Sequence, residues 1–385
     1  MNESADQPSA LNHANMLALI AMPGSEAFTA KIDKYLRRWR DSDESFILPI
    51  SLPRFATGDG KVVLEDSARS RDIFIICDPY NYSVTYNIRG FTNHMSPDDH
   101  YQNIIRVISA INGKTSNVSV LMTMLYGSRQ DDRHMRESLD CAMALQQMER
   151  CGVKNIITFD AHDPRVQNAV PLISFDNLFP NYQMLKALVS TVSDIDLHSD
   201  SIVIISPDAG GVRRCLRLSE PLNLEIGMFY KQRDTRNVVG GNNKIEQHRY
   251  IGNSLEGRDV IIVDDILATG GTLIDSFYKL KELGVKRIFV FITFGMFIKG
   301  YTDFDKAYFK GAFDRIFISN LTYHMVEKEE RPYISNVDLS KYASYIIDCI
   351  HKGISISNVL NPADKIKKLL ASRLVNYPPQ RHEQH

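Results

Sequence analysis

"VIIVDDILATGGT" (Val260–Thr272) is the stretch that decides the fold. An apolar run enters a pair of aspartates, and a loop of small residues follows, ending in Thr-Gly-Gly-Thr. The run predicts a buried strand. The apolar spacing of "TLIDSFYKLKELG" predicts a helix that opens at Thr272 and stops at Gly284. In open α/β sheets, ligands collect at the carboxyl ends of the strands, and this loop falls at such an end. Small residues let backbone N–H groups approach an anion, and the start of a helix adds a favourable field. Thr269 and Thr272 add hydroxyl donors. The loop thus accounts for a phosphate, but Asp264 and Asp265 would repel one. Both features fit a sugar phosphate: the loop takes the phosphate, and a carboxylate accepts hydrogen bonds from ribose hydroxyls. Alone, a TGGT loop reads as an ordinary strand–turn–helix corner. The strand, the aspartates and the loop together favour a site.

The same strand-then-helix order runs along the chain. "MLALIAM" (Met16–Met22), "RDIFIIC" (Arg71–Cys77), "NVSVLMTMLY" (Asn117–Tyr126), "NIITFD" (Asn155–Asp160), "SIVIIS" (Ser201–Ser206) and "RIFVFITF" (Arg287–Phe294) read as strands. Between them lie helical patterns. One carries Phe28, Ile32, Tyr35, Leu36 and Trp39 on one face. Another opens at Ser96-Pro97 with Ile104, Ile105, Ile108 and Ile111 in register. This alternation predicts α/β units around mostly parallel sheets. There are enough units for two sheets, divided near residues 180–195.

Length and composition set outer limits. The 385 residues suffice for two domains, and 44% hydrophobic with 24% charged residues is the balance of a water-exposed globular chain. A formal net charge of −1 gives no global electrostatic case for nucleic acid or an anionic membrane. The 5 cysteines are scattered without a CxxC pair, which argues against a zinc site or a disulfide framework and suits a reducing compartment. Residues 1–15 lack a basic stretch followed by an apolar core, so no signal peptide is expected, and Ile288–Ile298 is too short to span a bilayer. Residues 1–15 read as a disordered tail and 366–385 as a C-terminal tail, whose last stretch, "NYPPQRHEQH" (Asn376–His385), is polar, proline-broken and expected to be disordered.

Other strand ends carry chemistry. "SPDAGG" (Ser206–Gly211) places Asp208 beside two glycines, where a carboxylate can hold a magnesium ion brought by a nucleotide, or simply form a turn. In "TFDAHD" (Thr158–Asp163), Asp160 and His162 would face the same way if the strand continues, offering oxygen and nitrogen ligands; a polar cap is the plainer alternative. "YGSRQDDRHMRES" (Tyr126–Ser138) offers Arg129, Arg133 and Arg136 to phosphate oxygens, or forms a solvated loop. "YKQRDTRNVVGGNNKIEQHRY" (Tyr230–Tyr250) reads as a mobile loop with Lys231 and Arg233 at its base.

The Val260–Thr272 stretch resembles the phosphoribosyl-pyrophosphate motif of type I phosphoribosyltransferases and ribose-phosphate pyrophosphokinases. Taken in order, the segments resemble the ribose-phosphate pyrophosphokinase family over roughly residues 16–360. The resemblance implies an α/β fold of two phosphoribosyltransferase-like domains, each a mostly parallel sheet flanked by helices. It puts the domains at 16–185 and 186–345, with 346–365 packing back on the first.

The family pattern also implies residue roles. Phe55, Thr57 and Asp59 fall on the loop that meets the nucleotide of a neighbouring subunit. Arg129 and Gln130 match an Arg-Gln-Asp nucleotide segment, and His162 joins them at ATP. Asp160, His162 and Asp208 match metal positions for Mg2+. Lys231 and Arg233 match the catalytic Lys-x-Arg, with Asn237 a further match. Arg233, Asp264, Asp265 and the loop Ala268, Thr269, Gly270, Gly271 and Thr272 fall on the ribose 5-phosphate site. "GISISNVLNP" (Gly353–Pro362) matches a closing segment. Departures include Ala268 where aspartate is frequent, Thr57 and Asp59 where Asn or Asp and Glu are usual, and "TFG" where Thr-His-Gly is common.

The implied activity is diphosphoryl transfer from MgATP to ribose 5-phosphate by a cytoplasmic homo-oligomer built from dimers, up to a hexamer. No nucleic-acid or membrane partner is expected. The alternatives are a phosphoribosyltransferase and a non-catalytic relative that regulates an active synthetase.

Overall fold

The apolar runs become strands buried on both faces, as parallel sheets covered by helices require. In the computed structural model, residues 16–111, 113–133, 135–239, 242–324 and 331–376 are described, with side chains outside 231–248 and 372–376. They form two units. One ends at Asn177 and takes back Ser340–Ser355; the other runs Leu178–Leu339 and resumes at Ile356. The division expected near residue 185 thus lies at 177/178, and the returning segment is Ser340–Ser355 where 346–365 was expected.

The first unit contains β1 (Met16–Ala21), α1 (Glu26–Arg40), β2 (Ile50–Ser51), β3 (Val63–Leu64), β4 (Arg71–Cys77), β5 (Thr85–Ile88), β6 (Phe91–His94), α2 (Pro97–Ile111), β7 (Asn117–Met124), α3 (Asp140–Arg150), β8 (Asn155–Phe159) and β9 (Ser174–Leu178). Its main sheet has the order β1-β4-β7-β8-β9. The pairs β1–β4, β4–β7 and β7–β8 are parallel. At the start of α2, Asp99 N–H donates to Ser96 Oγ and Ser96 N–H donates to Asp99 Oδ2, both at 3.2 Å. This reciprocal cap explains why the helix begins at Pro97. Its core face holds Tyr101, Ile104, Val107, Ile108 and Ile111, while Ile105 is only half-buried.

The second unit contains α4 (Asn181–Thr191), β10 (Ile202–Ser206), α5 (Val212–Leu222), β11 (Glu225–Val239), β12 (Asn242–Ile251), β13 (Asp259–Leu267), α6 (Gly271–Glu282), β14 (Ile288–Gly295), α7 (Thr302–Phe309), β15 (Arg315–Ser319) and β16 (Ile334–Val337). The sheet order is β12-β11-β10-β13-β14-β15-β16. Every pair is parallel except β11–β12. On β13, Val260, Ile261 and Ile262 are completely buried. Phe277 of α6 is also completely buried, with its ring 4.7 Å from that of Phe313.

β11 and β12 correct one expectation. Tyr230–Tyr250 was read as a mobile loop, but most of it is an antiparallel ribbon, with register shifts on either side of Arg233. Its polar composition hides it, since no apolar alternation marks these strands. Main-chain pairing satisfies their backbone groups instead. Gly240 and Gly241 lie outside the described residues, as do residues 1–15 and 377–385, whereas residues 366–376 of the expected C-terminal tail are helical.

After β16, α8 (Ser340–His351) rejoins the first unit, and α9 (Ser357–Leu360) and α10 (Ala363–Asn376) belong to the second. α8 lies against α1. Trp39 meets Tyr345 edge-on at 6.4 Å, and Arg40 donates to Asp348 Oδ1 through Nε at 2.9 Å and Nη2 at 2.6 Å. Lys352 Nζ reaches Asp348 Oδ2 at 2.7 Å. Burial pushes the Asp348 carboxyl up, but Lys352 and Arg40 outweigh it and hold the group below its ordinary value. A depressed carboxylate stabilises the fold above the unfolded pKa of about 4, and that contribution is lost as pH falls through the folded value. Asp348→Asn should therefore melt below wild type at pH 7. The gap should close as pH drops under about 4, read as Tm at pH 7 and pH 3. A gap that stays constant over that range would show that the ion pair is not its source.

Candidate functional site

The sheet topology brings two of the sequence motifs together. From β10 the chain steps to β11 on one side, and after β12 it resumes at β13 on the other. The strand order turns between β10 and β13, which is where open α/β sheets leave a ligand crevice. These strands run parallel, with Ile202 opposite Asp259 and Ile205 opposite Ile262. The "SPDAGG" turn and the Ala268–Thr272 loop therefore leave the same edge of the sheet.

Each loop has a defined shape. After β10, Ser206 Oγ donates to Asp208 O at 2.6 Å, and Gly211 N–H donates to Asp208 Oδ1 at 3.1 Å. A Cβ on Gly211 would lie 2.8 Å from Ser206 Oγ, so a side chain there would displace the serine hydroxyl that bonds Asp208 O. Asp208 itself is exposed. After β13, Gly270 takes φ +80 and precedes α6 with no side-chain cap. The first N–H groups of a helix have no intrahelical acceptor, so this uncapped start is suited to an anion. Thr269 and Gly271 are exposed and Thr272 is half-buried. The loop is braced from β14: Met296 N–H donates to Leu267 O and Ile298 N–H donates to Ala268 O, both at 2.9 Å.

The two aspartates are not equivalent. Asp265 is buried, its Oδ1 accepts from Ile266 N–H at 2.9 Å, and its Oδ2 lies 3.0 Å from Arg214 Nη2. Asp264 keeps 31% of its side-chain surface open and lies 3.9 Å from Arg214 Nη1. Its Oδ1 accepts from Asp265 N–H at 3.0 Å. Burial pushes the Asp264 carboxyl well above the ordinary aspartate range, the Asp265 charge pushes the same way, and Arg214 opposes both. Arg214 sits in the first turn of α5, directly after "SPDAGG". Sequence reading passed over it. Its only signal was position, a cation just past a turn that ends level with the paired aspartates.

The first unit gathers a second group of candidates. Gln130 N–H donates to Gly127 O at 2.7 Å, and Cys141 N–H, at the start of α3, donates to Gln130 O at 3.3 Å. This turn leaves Arg129 and Gln130 exposed. Asp131 follows. Burial raises its carboxyl while the nearby His162 lowers it, so the segment after β7 and the segment after β8 meet.

Asp160 and His162 do not share a face as strand alternation would have placed them. β8 ends at Phe159 and Asp160 takes φ 37, leaving Asp160 buried and His162 exposed. Phe55, Thr57 and Asp59 lie on an exposed turn closed by Phe55 N–H to Asp59 O at 2.9 Å and Thr57 Oγ1 to Asp59 Oδ2 at 2.7 Å. Arg54 anchors it, bonding Gly58 O and Asp99 and stacking 3.7 Å from the Tyr86 ring centre on β5. The β5–β6 hairpin and this anchor were not expected from sequence.

Lys231 and Arg233 take strand positions on β11; their side chains, with that of Asn237, lie outside the described residues. Among the described residues, no group of three or more His, Cys, Asp or Glu forms a ready metal cage, and no helix is long and apolar enough to cross a membrane.

An anion loop and an acidic strand end at the switch point of one α/β sheet, in a chain that carries a second α/β unit, define a tandem phosphoribosyltransferase-type protein. Comparison with known proteins narrows the class. Residues 17–152 match the N-terminal domain of ribose phosphate pyrophosphokinase, and residues 174–323 match the phosphoribosyl transferase domain. The chain belongs to the ribose-phosphate pyrophosphokinase family, whose members are transferases. It is 26% identical to ribose-phosphate pyrophosphokinase of Vibrio parahaemolyticus over 318 residues, covering 81% of this chain and 90% of that protein. It is 24% identical to ribose-phosphate pyrophosphokinase A of Dictyostelium discoideum over 310 residues, covering 80% and 88%. The crystal structure of phosphoribosylpyrophosphate synthetase from Mycobacterium smegmatis shares the fold, with a TM-score of 0.71 at 17% identity, covering 88% of this chain and all of that one.

The loop geometry separates its glycines. A Cβ at Gly270 would lie 2.3 Å from Phe304 Cζ at a left-handed φ, whereas one at Gly271 meets nothing within 4 Å. Gly270→Ala should destabilise the protein by about 1–3 kcal/mol. Gly271→Ala should stay within about 0.5 kcal/mol of wild type. Denaturant unfolding of both variants checks this, and equal losses would contradict the loop as described.

Proposed function

We propose that the chain is a ribose-phosphate diphosphokinase, moving the diphosphoryl group of MgATP to the C1 hydroxyl of ribose 5-phosphate and yielding 5-phosphoribosyl 1-pyrophosphate and AMP. The observation that carries the reading is the pairing, in one chain, of the acidic, glycine-turned β13 loop with a whole second α/β unit matched to the N-terminal domain of ribose phosphate pyrophosphokinase. A transferase acting on a base needs only the first of these.

In this reading the start of α6 holds the 5-phosphate through the N–H groups of the Ala268–Thr272 loop, and the Asp264 carboxylate holds ribose hydroxyls. Lys231 and Arg233 supply positive charge to the transferred phosphoryl groups. Arg129 and Gln130, with Phe55, Thr57 and Asp59, take the nucleotide. The C1 oxygen attacks the β-phosphorus, the bond from that phosphorus to the oxygen bridging it to the α-phosphorus breaks, and AMP leaves. Positioning and electrostatics carry such a transfer without a covalent enzyme intermediate.

Magnesium typically keeps several waters and is held by one or two protein groups together with substrate phosphates. Asp208 in the second unit and His162 in the first are both exposed, and each by itself fits such a role. Asp160, buried at 3% exposure, fits it less well. Bound there, magnesium would neutralise and orient phosphate oxygens. The reading goes with a cytoplasmic homo-oligomer of dimers, up to a hexamer, which light scattering would measure.

The deciding experiment incubates the protein with MgATP and ribose 5-phosphate and resolves the products. AMP and 5-phosphoribosyl 1-pyrophosphate should form in equal amounts. Activity confined to a base plus 5-phosphoribosyl 1-pyrophosphate, with no AMP, would overturn the reading in favour of a phosphoribosyltransferase. Lys231→Ala should lower kcat by about 10²–10³-fold, as losing one preorganised charge donor does; an unchanged kcat would remove Lys231 from the mechanism.

A further inference from the structure

We propose that Arg214 is a positioning residue that divides the labour of the two aspartates: it holds Asp265 as a buried, paired carboxylate beneath the site and leaves Asp264 to meet the acceptor sugar. The role assigned to Asp264 rests on the function proposed above; the Arg214–Asp265 brace does not.

The geometry separates the two carboxylates. Both oxygens of Asp265 are engaged, Oδ1 by Ile266 N–H and Oδ2 by Arg214 Nη2 at 3.0 Å, and its side chain is 5% exposed. A sugar hydroxyl would have to displace a buried ion pair to reach it. Asp264 presents the more open carboxylate, and Arg214 stands further from it, at 3.9 Å. One guanidinium therefore touches one aspartate directly and lends its charge to the other. Asp208 adds a further negative field at Asp264, so several carboxylates gather near the Arg214 guanidinium at this edge of the sheet. Removing that guanidinium would break the ion pair of the buried Asp265 beside Asp264, and like charges this close oppose joint ionisation.

The brace also ties two loops together. Arg214 is placed by the "SPDAGG" turn, whose closure depends on Asp208 accepting from Gly211 N–H. Asp265 is placed by β13. A shift of the Asp208 turn would thus reach the β13 carboxylates through Arg214, although Asp208 lies on the turn after β10 and Asp264 on β13.

The test uses the full chain as wild type, Arg214→Met, Arg214→Lys, Asp265→Asn and the Arg214→Met/Asp265→Asn double variant. Steady-state kinetics with ATP and ribose 5-phosphate should show KM for ribose 5-phosphate raised about tenfold or more in Arg214→Met, with KM for ATP within about twofold. Arg214→Lys should recover part of the loss. The double variant should outperform Arg214→Met, because it also removes the buried charge whose ion pair the single change breaks. A KM for ribose 5-phosphate that stays within about twofold in Arg214→Met, or a double variant that loses as much as the two singles combined, would overturn the proposal.

Thermal unfolding of the same proteins reads the brace without substrate. The double variant should melt above Arg214→Met, and additive losses would sink the brace whatever the activity. A wild type that releases no AMP would instead overturn the reaction assignment, and with it the sugar-facing role of Asp264.

Discussion

The parallel pairing of β10 with β13 is the constraint on which the site depends. Their register makes two loops far apart in sequence leave one edge of the sheet together. The chain leaves β10 toward β11 on one side and β13 toward β14 on the other, so the two connections part and leave a crevice at that edge. Burial enforces the register. Strands buried on both faces have every side chain in a packed layer, so a slip of one residue would repack both faces at once. The completely buried Ile204, Ile205, Ile261 and Ile262 are in that sense part of the site, although none of them reaches its mouth.

Charge at that edge is balanced over a short distance. A helix start favours an anion, while the end of the neighbouring strand carries two. Arg214 reconciles them by taking up Asp265 inside the protein. Buried ion pairs add little net stability, because desolvating both groups offsets their attraction. Their effect is geometric: each partner fixes where the other can be. Here the fixed pair lies next to Asp264, the less buried of the two carboxylates, and limits where its neighbour on the strand can move.

How much of this was legible in the sequence depended on what each residue's neighbours had to be. Val260–Thr272 could be read because both of its jobs are local: an apolar run makes a buried strand, and small residues before a helix make an anion loop. Asp160 and His162 could not be paired correctly, because alternation holds only while the strand lasts and Asp160 leaves it at a positive φ. The ribbon β11–β12 was read as a loop because polar strands give no periodic signal when main-chain pairing holds them. Arg214 and Arg54 were missed for a different reason. Their partners, Asp265 and Asp99, are set by tertiary contacts, and nothing in the adjoining residues marks either arginine out from a solvated one. The helix α8 returned to the first unit nearer its start than expected, since the contacts that hold it, Arg40 to Asp348 and His351 to Asp72, span most of the chain.

Ala268 is where backbone does work that a side chain could have done. An aspartate there would have brought another carboxylate to an edge that already holds Asp264, Asp265 and Asp208. With alanine, the loop is held through its carbonyls instead: Leu267 O and Ala268 O accept from Met296 and Ile298 in the segment after β14. That bracing uses groups any residue would have, so it survives the loss of the side chain. It leaves the N–H groups at the start of α6 to an anion. Position in this loop is therefore set by the strand on the far side of β13 and by the packing of Gly270 against Phe304, while the neighbouring β10 turn supplies the charge that lets the paired aspartates stand together.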